Sequence, residues 1–147
     1  MSSVTQRTLE ANGLRFNLAE AGDGPPVLLL HGFPDCWRLW RHQLPALAEA
    51  GHRVVAPDLR GFGETERPDD VGAYRMRALV GDVVGLLDGL GVDRAAVVGH
   101  DWGGALAWAV AMFVLAPWST PTRSVAAPSR VRASTAAAGG SGRRRAR

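Results

Sequence analysis

The chain has 147 residues and a formal net charge of +3, from 17 basic residues that are all Arg, 14 acidic residues and 4 histidines that count as neutral. That length permits one domain with a real core, and a single cysteine, Cys36, excludes an internal disulfide framework. The net charge hides an uneven split: residues 1–101 hold ten Arg and all 14 acids, net −4, whereas residues 102–147 hold seven Arg and no acid, net +7.

A basic tail of this kind can bind nucleic acid or acidic membranes; a mildly acidic body carries no such footprint. The opening Met1-Ser2-Ser3-Val4-Thr5-Gln6-Arg7 lacks the apolar core of a signal peptide. The longest apolar run, residues 105–116, falls short of the ~20 residues of a membrane-spanning helix. Together with the lone cysteine, these features predict a cytoplasmic protein without a membrane partner.

In chain order, Thr8–Glu10 and Leu14–Ala19 flank Asn12-Gly13, which predicts a β-hairpin. After the loop Gly22-Asp23-Gly24-Pro25-Pro26, Val27-Leu28-Leu29-Leu30 reads as a strand buried on both faces. Trp37, Trp40, Leu44 and Leu47 share a helical face, with Pro45 expected to kink or shorten the helix and Gly51 to end it. Arg53–Ala56 is the next strand. Met76, Leu79, Val80, Val83, Val84, Leu87 and Leu90 then form one helical stripe, stopped by Gly91, and Ala95–Val98 is the third parallel strand. Strands alternating with helices predict an α/β fold with right-handed crossovers. From Val114 onward, Pro, Ser, Thr, Ala, Gly and Arg dominate without periodicity, the composition of a disordered segment.

The chemistry centres on Gly99-His100-Asp101-Trp102-Gly103, set between the Ala95–Val98 run and the apolar run 105–116. A Gly-x-nucleophile-x-Gly turn between a buried strand and a helix is the nucleophile elbow of α/β-hydrolases, here with Asp101 in the nucleophile's place. A free carboxylate, with a pKa of ~3.9, is ionised at neutral pH without a base. It suits displacement at an electrophilic sp³ carbon rather than acyl transfer, and the ester it forms must then be cleaved by water. Asp101 therefore disfavours serine-esterase chemistry. The competing reading, a simple helix N-cap, is outweighed because strand, glycines and helix agree.

His31-Gly32-Phe33-Pro34 directly follows the Val27–Leu30 strand. In α/β-hydrolases the loop after that strand supplies one backbone N–H to the oxyanion hole, and the residue after the nucleophile supplies the second. Those donors would be Phe33 and Trp102, with His31 and His100 orienting local backbone. The elbow, the His31–Pro34 motif, Trp37 with Trp40-Arg41-His42-Gln43-Leu44-Pro45, and Val55-Ala56-Pro57-Asp58-Leu59-Arg60-Gly61-Phe62-Gly63 together resemble the epoxide hydrolase group of α/β-hydrolases, close to haloalkane dehalogenases, over residues 7–113. The resemblance implies a mostly parallel sheet with an N-terminal antiparallel hairpin and an elbow Asp that opens an epoxide through an alkyl-enzyme ester. It also implies that Trp102 faces the substrate, a small epoxide or alkyl halide. The sequence shows no metal-ligand cluster and no phosphate-binding glycine loop, so no metal or cofactor is expected. Asp58, Arg60 and Glu64, in the connecting loop 58–72, are expected in structural pairs. His42 and His52 are expected to be partly solvated, Trp37, Trp40 and Trp108 to pack in the core, and Cys36 to be inert.

In that family the triad acid and histidine follow the nucleophile along the chain. No Asp or Glu follows Asp101 and no His follows His100. The group also protonates the epoxide oxygen with tyrosines of a cap, whereas the one tyrosine here is Tyr74. The sequence thus predicts a partial α/β-hydrolase domain at 1–113, lacking the cap and last strands, and a basic low-complexity tail at 114–147. A shifted reading frame in a GC-rich gene would produce such a tail. The Ala95–Val98 strand is expected at an open, aggregation-prone edge, and Asp101 is expected to capture an epoxide once without turnover.

Two other functions compete. A haloalkane or haloacid dehalogenase would use the same attack, but Phe33 stands where many haloalkane dehalogenases carry a polar halide ligand. Fluoroacetate dehalogenases tend to place Arg where Trp102 stands. A non-catalytic protein using the basic tail is the other; apart from Trp118 the tail lacks aromatics among its arginines, so nucleic acid is disfavoured.

Overall fold

The computed structural model describes residues 3–115 and the pair 132–133. Strands β1 (Thr5–Ala11) and β2 (Leu14–Ala21) form the hairpin, closed by Asn12 and Gly13 at φ 47° and 76°. Two consecutive positive φ angles are what a two-residue type I′ turn requires, and Asn-Gly supplies them at least cost. Strand β3 (Pro26–Leu30), helix α1 (Gln43–Glu49), β4 (Arg53–Pro57), α2 (Met76–Gly89), β5 (Ala96–Gly99) and α3 (Trp102–Leu115) follow. With the two-residue β6 (Arg132–Ala133) included, the sheet order is β1-β2-β4-β3-β5-β6, in which β2 runs antiparallel to β4, and β4, β3 and β5 are mutually parallel.

The unbroken apolar runs of β3 and β4 are explained by the layers on either side. Leu28, Leu30 and Val55 face α2 and α3, packing with Val83, Leu86, Leu106 and Val110. Val27, Leu29, Val54 and Ala56 face the opposite layer, against Trp40, Leu44 and Ala48. The expected helix after β3 is divided into a 3₁₀ turn, Trp37–Trp40, and α1. Pro45 lies in the first turn of α1, where its missing N–H costs nothing. A second 3₁₀ turn, Val71–Tyr74, opens with the Asp70 side chain accepting from the Gly72 N–H.

Two expectations are corrected. Trp108 is 57% exposed, not core. Helix α3 is apolar on all sides and buries only the face carrying Leu106, Ala107, Ala109 and Val110, leaving Trp108, Met112 and Phe113 outward. Helix α3 runs to Leu115. Finally, β5 is not a bare edge: β6 (Arg132–Ala133) pairs with it in parallel, Ala96 with Arg132 and Val97 with Ala133. Two residues gave no strand signal, because a strand that short has no period to read. The rest of the expected tail lies outside the described residues. Among the described residues no helix is long and apolar enough to cross a membrane.

Candidate active site

Strand β5 delivers the chain to the elbow, where the His100 N–H still donates to the Leu30 carbonyl at 3.1 Å, extending the pairing with β3. Asp101 then takes φ 54°, a left-handed conformation that a non-glycine residue adopts at a cost. Its carbonyl accepts from the N–H groups of Gly104 (3.0 Å) and Ala105 (3.1 Å), so α3 starts at once. The flanking glycines are required by close approach rather than by turn type. A Cβ on Gly99 would strike the Gly103 carbonyl, and one on Gly103 would strike the Leu30 carbonyl.

The loop after β3 closes over the elbow. The Phe33 N–H donates to Asp101 Oδ2 at 3.0 Å. Gly32 passes so near that a Cβ there would lie 2.6 Å from the Asp101 Cβ. The Phe33 amide, with the Trp102 amide second, holds the Asp101 carboxyl below its ordinary value, since donors to the charged form favour it. The structure therefore brings Phe33, Asp101 and Trp102 together, on the motif formed by His31, Gly32, Pro34, Gly99, His100 and Gly103.

His31 is fully buried. Its Nδ1 contacts the Gly32 carbonyl at 2.8 Å, and its Nε2 accepts the Leu59 N–H at 2.9 Å. Burial, the largest influence, lowers its pKa and keeps it neutral. Asp58, 1% exposed, accepts from the N–H groups of Trp37 (2.7 Å) and Glu64 (3.0 Å) and from Asn17 Nδ2 (2.9 Å). Arg60 forms a two-pronged pair with Asp82 on α2, at 2.8 and 2.6 Å. Asp58 and Arg60 are thus structural hubs, while Glu64 enters only through its backbone. His42 is exposed at the start of α1, His52 is half-buried, and Cys36 is half-buried and unpaired.

Above the elbow lies an apolar cavity of about 220 Å³, walled by Phe33, Leu59, Phe62, Tyr74, Met76 and Trp102, among others. Trp102 forms part of this wall. The contributions of Phe62, Tyr74 and Met76 were not legible from the sequence, because they depend on how the 58–75 segment folds back. The Tyr74 hydroxyl donates to the Pro68 carbonyl at 2.8 Å, so its proton is committed within its own loop. Among the described residues no group of three or more His, Cys, Asp or Glu could hold a metal ion.

Comparison with known proteins matches residues 25–139 to the family described as alpha/beta hydrolase fold. The chain belongs to that family. Epoxide hydrolase 2 of Siraitia grosvenorii is 49% identical over 113 residues, covering 77% of this chain and 36% of that protein. Epoxide hydrolase A of Mycobacterium tuberculosis is 49% identical over 110 residues, covering 74% and 34%. The crystal structure of an epoxide hydrolase from Vigna radiata superposes with a TM-score of 0.74 at 50% identity, covering 75% of this chain and 34% of that one. The likeness to the epoxide hydrolase group read from the motifs is therefore shared by sequence and by structure. The chain spans about a third of the length of these relatives.

Proposed function

We propose that the Asp101 carboxylate attacks an epoxide carbon as the nucleophile of an epoxide hydrolase-type reaction. The observation that carries this reading is the elbow itself: Asp101 at φ 54°, with Oδ2 held by the Phe33 N–H. Oδ1 is then the attacking oxygen. It forms a bond to carbon as the ring C–O bond breaks, and the alkoxide released takes a proton from water. The product is an ester whose carbonyl oxygen is Oδ2, already held by the Phe33 N–H, with the Trp102 N–H also directed at the carboxyl. When water attacks that ester, those two N–H groups face the developing oxyanion. The hole thus serves the second step, because the acyl group being hydrolysed belongs to the enzyme.

On these 147 residues, of which 102–147 include no Asp, Glu or His, the ester is expected to outlast its formation, because none of 102–147 can activate the water. The substrate is a small epoxide carrying an apolar substituent, since the cavity wall is apolar and its Arg60 and Tyr74 are engaged elsewhere. An alkyl halide ranks second: Phe33, 65% exposed at the mouth, offers a halide no polar side chain. A cytoplasmic setting fits the single cysteine.

The test is intact-mass measurement of the full chain after incubation with styrene oxide. One added epoxide is expected, mapped to the tryptic peptide 95–123, and none for Asp101→Ala. Continuous diol release over many equivalents would overturn single capture; no adduct on the folded chain would overturn the nucleophile. Because its donors depress the Asp101 pKa, the adduct-forming rate is expected to stay flat over about pH 5–8. It should fall only as pH drops through the lowered value. A rate halving near pH 6 would place the nucleophile on another group.

A further inference from the structure

The amide that faces Asp101 is aimed by a histidine that touches neither the carboxylate nor the cavity. We propose that His31, fixed as its Nδ1–H tautomer, is a positioning residue that sets the direction of the Phe33 N–H. Two contacts fix the tautomer. The Leu59 N–H can only donate, so His31 Nε2, 2.9 Å away, must carry the lone pair. The single proton of the neutral ring then sits on Nδ1 and is donated to the Gly32 carbonyl at 2.8 Å.

That carbonyl and the Phe33 N–H are opposite ends of one peptide plane. The plane is rigid, and in a trans peptide its C=O and N–H point in opposite directions. Pinning the Gly32 oxygen therefore aims the Phe33 N–H, which meets Asp101 Oδ2 at 3.0 Å. The Asp35 N–H adds a second donor to the same oxygen at 2.9 Å. Gly32 lies too close to Asp101 for a Cβ to intervene, so the plane cannot be steadied by a side chain of its own. Full burial of His31 shields both bonds from water, and Phe62 packs edge-on against the ring with centroids 5.5 Å apart. Through Leu59, the imidazole also ties the loop after β3 to the loop after β4, and both loops wall the cavity.

The catalytic meaning of this clamp rests on Asp101 being the nucleophile, but the clamp itself does not, and its test needs no epoxide. Asn places an amide nitrogen near the position of imidazole Nδ1, while Gln places its amide near Nε2. His31→Asn keeps the donor to Gly32 and loses the acceptor for Leu59; His31→Gln does the reverse. The readouts on the full chain are the ¹³C titration of the Asp101 carboxyl and the ¹H shift of the Phe33 amide. In His31→Gln the Asp101 midpoint is expected to rise by about half a unit or more, with the Phe33 amide moving upfield; in His31→Asn both stay near wild type. A role confined to stability predicts similar melting losses and no such split. Equal midpoints in the two variants, or the reverse order, would overturn the proposal. Direct ¹⁵N detection of the wild-type ring decides independently of either variant's folding: a proton on Nε2 would also overturn it.

Discussion

Replacing Asp82 with Ala is expected to cost about 3–5 kcal/mol, enough to unfold much of a marginally stable domain. Asp82 is 3% and Arg60 7% exposed. Removing the carboxylate strands a guanidinium that retains only the Ala73 carbonyl, at 2.8 Å. It also strips Asn12 Nδ2, at the hairpin turn, of its 2.8 Å acceptor. One deletion thus loosens three segments: the hairpin, α2 and the 3₁₀ turn that carries Tyr74 to the cavity. The penalty comes from breaking the pair rather than from the worth of the pair, so Arg60→Met with Asp82→Leu should recover most of the loss. Chemical denaturation of both variants tests this. A single variant within 1 kcal/mol of wild type would mean that water reaches Arg60. The contrast is Glu20, whose carboxyl is pushed up by burial but lowered overall by hydrogen bonds from Arg53 and Arg7. Those pairs are partly exposed, and each is worth at most about 1 kcal/mol.

Asp82 also shows where sequence reasoning stops. The stripe Met76, Leu79, Val80, Val83, Val84, Leu87 and Leu90 falls on the buried side of α2, although it omits the fully buried Leu86 and includes the half-buried Val84. A periodicity argument, however, assigns a charge beside that stripe to solvent. Nothing local says that Arg60, 22 residues upstream, arrives to neutralise it. The same limit hid Tyr74 and Phe62 from the cavity wall. Features governed by neighbours in the chain were legible. Gly51 and Gly91 end their helices at φ 86° and 66°, the Asn12-Gly13 turn closes the hairpin, and the double-sided burial of β3 follows from its unbroken apolar run. Trp108 failed for a related reason: an aromatic in an all-apolar helix reads as core wherever it falls, and only the sheet position of α3 decides which face is covered. At the elbow the sequence was most informative, because its glycines answer to backbone: Gly99 to the Gly103 carbonyl four residues on, and Gly103 to the Leu30 carbonyl at the end of β3.

That last point yields the sharpest test of the site. Gly103 and Gly104 are neighbours in the first turn of α3, and helix propensity alone predicts that Ala at either should stabilise, by up to about 1 kcal/mol. The structure separates them. A Cβ on Gly104 would meet the Gly99 carbonyl at 3.5 Å, an ordinary contact. One on Gly103 would overlap the Leu30 carbonyl and come within 2.5 Å of the His31 carbonyl. Both obstacles are backbone at the end of β3, so relief requires α3 to move away from the sheet. Gly103→Ala is therefore expected to destabilise by about 3 kcal/mol or more, whereas Gly104→Ala should be neutral or stabilising. Gly103→Ala should also shift the Phe33 amide resonance, because moving the start of α3 pulls Asp101 Oδ2 from its donor. Equal melting temperatures for the two variants would show that the strand end yields, and that the elbow is held less tightly against β3 than the His100 to Leu30 bond implies.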